Sequence, residues 1–296
     1  MNRREFLAAS AVAPALAAGP RFVKSICSVI FPPGTPLPEC FRRAKDAGFD
    51  AIEIRITDEV SLDSTPDQMK QLGDEAHKAG VYIASMWVSR PLAQFPINSP
   101  DPAMRAKGEA AIEKTIELAK YANCGAILLY LCRLGNGAKL QYGSQETWDR
   151  CSEVLRQAIP AAGRANVILT PENVWNKFLL SPLEMRTFVD QFQSPSLQTH
   201  FDIGNCMQYG YPEDWILTLG TRIKRIHMKD YKLASRSQQG GFVGLLEGDV
   251  DWKAVMAALV KVGYRGSLSP EVGYNPSDPD QPKKVSQALD KILAMA

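Results

Sequence analysis

Two kinds of segment alternate along most of the chain: short apolar runs rich in β-branched residues, and longer segments whose apolar positions recur every three or four residues. The first pattern predicts buried strands and the second predicts amphipathic helices. The predicted strands cover residues 22–30, 50–56, 81–87, 126–131, 167–170, 197–201, 223–228 and 267–271. The predicted helices cover residues 37–47, 65–79, 103–121, 145–163, 182–191, 212–219, 252–262 and 283–294.

Strict alternation of strands and helices predicts a parallel sheet with crossover helices. In a chain of 296 residues it predicts a single α/β domain, a closed (β/α)8 TIM barrel. A doubly wound open sheet is the alternative, and it usually carries a glycine-rich turn after its first strand. The corresponding segment here, Phe31 to Thr35, contains a single glycine, and the chain has no P-loop pattern. We therefore predict the barrel.

The N-terminal segment does not fit this alternation. Arg3 and Arg4 form a twin-arginine pair, an apolar run follows over residues 8–18, and Ala15 to Ala17 has the small-x-small form of a cleavage site. This pattern predicts a twin-arginine signal peptide over residues 1–19 and a mature barrel over residues 20–296. We expect export in the folded state to a periplasmic or other extracytoplasmic location.

Composition and charge limit the kinds of molecule that this protein is expected to bind. The net charge is +2 with acidic and basic residues interspersed, so no electrostatic footprint for nucleic acid is visible. No apolar run approaches the length of a membrane span, and we expect no membrane insertion. The six cysteines form no C-x-x-C pair and have no zinc-finger spacing. The sequence leaves their disulfide status and the oligomeric state open, and it allows a homo-oligomer.

The last four predicted strands each deliver one metal-ligating side chain. Glu172, Asp202, His227 and Glu271 lie at the C-terminal ends of these strands, where barrel enzymes place their catalytic groups. Three carboxylates that converge without a cation would repel one another, and at least one would stay protonated. A divalent cation removes that conflict. Mostly oxygen ligands with one imidazole favour Mn²⁺ or Mg²⁺, then Co²⁺ or Zn²⁺, and we expect Mn²⁺.

Several segments also match the motifs of a known family. They are Gly48-Phe49-Asp50-Ala51-Ile52-Glu53, Thr170-Pro171-Glu172-Asn173, Phe201-Asp202-Ile203-Gly204-Asn205, His227-Met228-Lys229-Asp230 and the run from Glu247 to Glu271. With these motifs the chain resembles the xylose-isomerase-like TIM barrels, the sugar phosphate isomerase/epimerase group that includes ketose 3-epimerases, inosose dehydratases and endonuclease IV. The resemblance covers nearly all of the mature chain.

The resemblance implies roles for the same four residues. It assigns Glu172, Asp202, His227 and Glu271 as metal ligands, and it implies that the two glutamates also exchange protons with the substrate. One position departs from the family pattern. Ketose 3-epimerases carry a histidine three residues after the strand-six aspartate, where this chain has Asn205. This departure weakens the expectation that a free ketose is the substrate.

The implied function is a divalent-metal-dependent sugar isomerase or epimerase acting on a small carbohydrate. The metal would stabilise an enediolate as a Lewis acid, while Glu172 or Glu271 removes a proton next to the carbonyl. The same site permits loss of a β-oxygen, so a lyase or dehydratase acting on a keto-sugar or 3-oxo-glycoside is the alternative. A second alternative is a non-catalytic carbohydrate-binding barrel. A nuclease like endonuclease IV would need more histidines than the three present.

Further residues are predicted to bind the substrate because they end strands or flank the ligands. They are Glu53, Trp87, Asn173, Trp175, Asn205 and Lys229. A sugar face stacks well on an indole, so either tryptophan is a candidate wall of the site. The glycines between residues 240 and 248 suggest a cover over the site or a long surface loop. His200 precedes Asp202 by two residues, and we expect it to be a core histidine with satisfied hydrogen bonds.

Overall fold

The structure is a computed structural model that describes residues 22–57, 59–235 and 239–296. The predicted signal peptide lies outside the described residues. Eight parallel strands form the central sheet: β1 (Val23–Cys27), β2 (Ala51–Arg55), β3 (Tyr82–Trp87), β4 (Ala126–Leu129), β5 (Ile168–Pro171), β6 (Thr199–Asp202), β7 (Ile223–Met228) and β8 (Ser267–Pro270).

The sheet follows chain order and closes on itself. Each strand pairs with its sequence neighbours except at the β5–β6 edge, and β1 also pairs with β8. The closure between β5 and β6 is weaker than the other pairings, because only two isolated parallel bridges join them, Leu169 with Leu197 and Glu172 with His200. This arrangement confirms the predicted (β/α)8 barrel.

A helix follows each strand and packs on the outside of the barrel. The helices are α1 (Leu37–Asp46), α2 (Pro66–Lys78), α3 (Pro102–Tyr121), α4 (Ser144–Ala165), α5 (Pro182–Asp190), α6 (Pro212–Leu219), α7 (Trp252–Lys261) and α8 (Gln281–Leu293). At the start of α2, two side chains of the local sequence cap the helix. Thr65 Oγ1 accepts a hydrogen bond from the Gln68 N–H, and Gln68 Oε1 accepts one from the Thr65 N–H, which satisfies two N–H groups of the helix start.

The first strand is shorter than its apolar run predicts. It ends at Cys27, and Ser28–Ile30 forms a 3-10 turn that closes with a hydrogen bond from Phe31 N–H to Ser28 O at 3.2 Å. Ile30 and Phe31 remain buried, so the apolar run continues past the sheet into the core beneath the β1–α1 loop. The turn brings Ser28 to the wall of a cavity at the barrel mouth.

The loop after β7 is anchored by one buried carboxylate. Asp230 accepts hydrogen bonds from the N–H groups of Tyr231, Leu246 and Val250 and from the indole N–H of Trp252, at 2.9, 2.9, 3.3 and 3.0 Å. A short hairpin, Asp230–Lys232 with Gly241–Val243, rises from this base. The base of the loop predicted as a glycine-rich cover is therefore fixed.

All six cysteines lie in the described part of the chain, where each is buried and free. Burial raises the pKa of Cys40 to about 12 and that of Cys124 to about 11, so these thiols are protonated at neutral pH. Across the same described ranges, no helix is long and apolar enough to cross a membrane.

Candidate metal centre

The four predicted ligands converge at the C-terminal face of the barrel. Asp202 closes β6, His227 lies one residue before the end of β7, and Glu172 and Glu271 directly follow β5 and β8. Each residue offers one ligand atom, and the four atoms all lie within 4.8 Å of one another. Parallel strands end at the same edge of a barrel, so neighbouring strand ends can aim their side chains at one point.

One imidazole nitrogen faces all three carboxylates. His227 Nδ1 lies 3.1 Å from Glu172 Oε1, 3.0 Å from Glu271 Oε2 and 3.6 Å from Asp202 Oδ2. An imidazole nitrogen carries at most one proton, so it can satisfy at most one of these oxygens by donating a hydrogen bond. A cation can attract all of them. The donor set therefore fits the predicted divalent metal.

Lys229 brings a positive charge to the edge of this cluster. Its Nζ lies 2.9 Å from Asp202 Oδ2 and 2.5 Å from Glu271 Oε2. Burial opposes the charge, but the two carboxylates outweigh it and hold the pKa of Lys229 above its ordinary value. Asp202 Oδ2 lies near the ammonium group of Lys229 but accepts no hydrogen bond from the described residues. A lone pair of this oxygen is therefore available to a cation. A Cβ at Gly204 would lie 2.5 Å from Lys229 Cβ, which explains the glycine there.

The carboxyl groups differ in acidity. Burial raises the pKa of Glu172 to about 7, with the charges of Asp202 and Glu271 adding to it and His227 opposing it. Burial acts in the same direction on Asp202 and Glu271, but the charges of Lys229 and His227 hold the pKa of each below its ordinary value. Glu172 is therefore the most readily protonated of the three carboxyl groups when no cation is bound.

Asn173 and Asn205 hold a ligand rather than facing the cavity. The Asn173 side chain donates to Asp202 O at 2.8 Å and accepts from Asp202 N–H at 2.7 Å. Asn205 N–H donates to Asp202 Oδ1 at 2.7 Å, and its side chain donates to Asn173 O at 3.0 Å. These bonds bridge the β5–β6 closure, where strand pairing is sparse. Neither asparagine is among the residues that line the cavity described below, and contact of either with the substrate stays a prediction.

Glu53, which was also predicted to contact the substrate, lies below the rim of the barrel, and that contact stays a prediction. Glu53 is fully buried in the middle of β2 and points into the barrel beneath His227, whose Nε2 lies 3.3 Å from Glu53 Oε2. Ser85 Oγ and Trp87 Nε1 donate to the same oxygen at 2.5 and 2.9 Å, and Ser269 Oγ donates to the other at 2.5 Å. The alternation of side chains along β2 turns Glu53 inward instead of placing it at the rim.

A cavity of about 1100 Å³ opens from the metal cluster. Glu172 and Glu271 form part of its wall, and it extends over the ends of β1, β2 and β3. Much of the remaining wall comes from the β1–α1 loop, together with Arg55, Arg90 and Tyr274. Sequence reasoning missed this loop as part of the site. The segment Phe31 to Thr35 was considered only as a possible dinucleotide-binding turn, which its single glycine excludes.

The two candidate tryptophans lie on different parts of the mouth. Trp87 lines the cavity, and its ring centroid lies 5.1 Å from that of His227. Trp175 is 46% exposed, donates its indole N–H to Asn205 O at 2.9 Å and stacks on Phe242 at 4.9 Å. Trp175 is absent from the lining of the cavity. Trp87 is therefore the better candidate for a wall against which a sugar stacks.

His200 lies in the core as predicted, but its hydrogen bonds are not satisfied. Neither ring nitrogen has a hydrogen-bond partner among the described residues, and the nearest carboxylate oxygen, Glu53 Oε2, is 4.0 Å from Nε2. Its ring centroid lies 4.1 Å from that of His227. Burial holds the pKa of His200 well below its ordinary value, so the ring is neutral.

Comparison with known proteins agrees with this architecture. The profile of the xylose isomerase-like TIM barrel family matches residues 41–294. The chain belongs to this family. It is 29% identical over 282 residues to the L-ribulose-5-phosphate 3-epimerase UlaE of Escherichia coli strain SE11, and the match covers 92% of this chain and 95% of UlaE.

Solved structures of similar fold superimpose on nearly the whole of this chain. The D-psicose 3-epimerase of Clostridium cellulolyticum H10 superimposes with a TM-score of 0.77 at 19% identity, covering 93% of this chain and 99% of that one. The 3-keto-D-glucoside 4-epimerase YcjR of Escherichia coli superimposes with a TM-score of 0.73 at 14% identity, covering 92% and 99%. At these identities the likeness supports the fold.

Proposed function

We propose that this protein is a divalent-metal-dependent sugar epimerase that removes a proton next to a carbonyl group. The observation that carries the proposal is the pair Glu172 and Glu271, which share one cation site and also border the same cavity. A substrate held there meets two carboxyl groups within reach of its carbon chain. The relationship to the L-ribulose-5-phosphate 3-epimerase UlaE supports the same reaction class.

The two glutamates divide the proton transfers between them. One takes the proton from the carbon next to the carbonyl, and the other returns a proton from the opposite face, which inverts that carbon. A divalent cation held by Glu172, Asp202, His227 and Glu271 would supply Lewis-acid stabilisation of the negative charge on the substrate oxygens. Lys229 contacts Glu271 Oε2 and keeps a compensating positive charge beside it.

The substrate we propose is a carbohydrate with a carbonyl group, bound in the cavity against Trp87. Arg55 and Arg90 border this cavity and bring basic groups to its wall. UlaE is named for a phosphorylated ketose. A comparison of phosphorylated and free forms of the same ketose therefore tests whether these arginines serve a phosphate.

A lyase or dehydratase acting on a 3-oxo-glycoside is the second candidate. The observation that favours it is the size of the cavity, about 1100 Å³. Cavities of roughly 300–1000 Å³ hold drug-sized ligands, so this one has room for a glycoside with its aglycone. The first step would be the same proton abstraction, followed by loss of the oxygen substituent on the β-carbon instead of reprotonation.

Two further proposals concern the metal and the location. We propose Mn²⁺ as the cation, because carboxylates with one imidazole suit it, and metal analysis of the purified protein tests this choice. We also propose export by the twin-arginine route. Fusion of residues 1–19 to a reporter should direct it out of the cytoplasm, and replacement of Arg3 and Arg4 by lysine should retain it inside.

Proton NMR in deuterated buffer tests the reaction. Mn²⁺-loaded enzyme is incubated with free ketoses, ketose phosphates, inososes and 3-oxo-glycosides, then removed before the spectra are recorded. Deuterium at a carbon next to the carbonyl, with an epimer as product, is the expected result. An enone or a released aglycone would establish the lyase instead. Absence of exchange with every compound, in protein that binds Mn²⁺, would favour the non-catalytic binding barrel.

A further inference from the structure

One buried carboxylate beneath the metal centre has no contact with the cavity. Glu53 is fully buried, and three side chains donate hydrogen bonds to it, Ser85 and Trp87 from β3 and Ser269 from β8. Glu53 lies on β2, so these bonds cross the interior of the barrel and leave the carboxylate a single orientation. These hydrogen bonds give Glu53 a defined position relative to His227, whose Nε2 lies 3.3 Å from Glu53 Oε2.

These three donors define what Glu53 offers to His227. The indole N–H of Trp87 can only donate, so Glu53 Oε2 accepts a hydrogen bond from it. Ser85 donates to the same oxygen and Ser269 donates to the other, so Glu53 acts as an acceptor at both oxygens.

His227 lies between this carboxylate and the proposed cation. Its Nε2 is 3.3 Å from Glu53 Oε2, and its Nδ1 faces the oxygens of Glu172 and Glu271 at 3.1 and 3.0 Å. Because Glu53 can only accept, the contact at Nε2 requires a proton on that nitrogen. A ring that also binds a cation must then present the lone pair of Nδ1. Carboxylates that orient a metal-bound imidazole in this way strengthen the metal site.

We propose that Glu53 is a positioning residue for the metal ligand His227. It holds the imidazole in the tautomer with the proton on Nε2 and so directs the Nδ1 lone pair to the divalent cation. This inference rests on the metal centre of the proposed function. Ser85 and Ser269 support this role because their hydrogen bonds fix the Glu53 carboxylate. Trp87 donates to the same carboxylate and also packs against the ring of His227.

Isothermal titration with Mn²⁺ measures the effect without any substrate. Glu53→Gln keeps the shape of the side chain and removes its charge, and we expect Mn²⁺ affinity to fall by about 10–100-fold. Glu59→Gln is the matched control, because Glu59 borders the cavity and binds the N–H of Leu37 rather than His227. We expect the control to bind Mn²⁺ like the unaltered protein. Circular dichroism verifies that both variants fold.

A second measurement reads the tautomer directly. The chain has three histidines, so a ¹⁵N-histidine NMR spectrum of the Mg²⁺-loaded protein contains few signals, and His77→Asn identifies the exposed one. We expect the His227 proton on Nε2; a proton on Nδ1 would overturn the proposal. Equal Mn²⁺ affinity of Glu53→Gln and the unaltered protein would overturn it as well. Failure of the unaltered protein to bind Mn²⁺ would instead refute the metal centre, and this inference with it.

Discussion

At the residue scale, the two glutamates of the site differ in their neighbours. Glu271 is 22% exposed and contacts the Lys229 ammonium, whereas Glu172 is 8% exposed and contacts only the imidazole of His227 among the charged donors described. The charges of His227 and Lys229 hold the pKa of Glu271 below its ordinary value, whereas burial raises the pKa of Glu172 to about 7. The same residue type therefore enters the site with two different acidities.

Removal of the Glu271 carboxylate should stop turnover without unfolding the protein. We expect Glu271→Gln to slow exchange of the substrate proton by about 10³-fold, since general acid–base groups contribute roughly 10²–10⁴-fold. The rate of deuterium incorporation measures this loss, and circular dichroism checks the fold. Glu247→Gln, an exposed glutamate on the β7–α7 loop, is the control and should keep full activity. Unchanged exchange in Glu271→Gln would remove this residue from the mechanism.

Metal affinity should depend on pH. Cys27 and the carboxylates of Glu271 and Glu53 raise the pKa of His227 well above its ordinary value despite burial, and burial raises the pKa of Glu172 to about 7. Cation binding must displace the Nδ1 proton of His227 throughout the neutral range and, below pH 7, the proton of Glu172 as well. Affinity should therefore rise with pH, with a steeper slope below about pH 7.

Calorimetric titration in two buffers of different ionisation enthalpy counts the displaced protons. We expect about one proton per Mn²⁺ at about pH 8 and about two at about pH 6. Affinity that stays constant over this range would contradict the assigned protonation states.

At the element scale, side-chain hydrogen bonds replace strand pairing where the barrel is weakest. Asn173 binds both backbone groups of Asp202 across the β5–β6 closure, and Asn205 returns a bond to the Asn173 carbonyl. The two asparagines thus join the strand ends that carry Glu172 and Asp202. The geometry of the metal centre depends on this junction as much as on the ligands themselves.

The loop after β7 should depend on Asp230. Asp230→Ala would leave the N–H groups of Leu246 and Val250 and the Trp252 indole without their acceptor, and each unsatisfied buried group costs about 1–3 kcal/mol. We expect the free energy of unfolding in urea to fall by about 2–4 kcal/mol. Asp249→Ala, which removes an exposed carboxylate from the same loop, should have a smaller effect. Equal effects of the two substitutions would show that the buried anchor contributes no more than a surface contact.

At the scale of the whole molecule, the four candidate metal ligands come from the ends of four different strands. They meet only in the folded barrel, so folding and cation binding should be coupled. Mn²⁺ at about a hundred times its Kd should stabilise the folded state by about 2.7 kcal/mol if only the folded chain binds it. Differential scanning calorimetry should show a higher Tm with Mn²⁺ and a return to the lower value with EDTA. Asp202→Asn should reduce this shift, whereas an equal shift in that variant would place the stabilising ion elsewhere.

Sequence reasoning reached the barrel and the four converging side chains because both follow from local patterns. The periodicity of strands and helices can be read from consecutive residues, and the C-terminal ends of parallel strands lie at the same face of the barrel. Sequence patterns did not show that Glu53 contacts His227 or that Asn173 and Asn205 bind Asp202. Their side-chain directions depend on partners far away in the chain, such as Ser269 for Glu53 and Asp202 for Asn173.

The sequence by itself determined the order of the elements, the fold class and the ligand types at the strand ends, because each of these depends on residues close together in the chain. Only the tertiary structure decided which polar groups face the cavity and which are buried beneath it. Alternation along β2 points Glu53 into the barrel, and closure of the barrel brings Ser269 of β8 and His227 of β7 within reach of its carboxylate. Contacts of this kind arise from packing across the barrel, which no local pattern encodes.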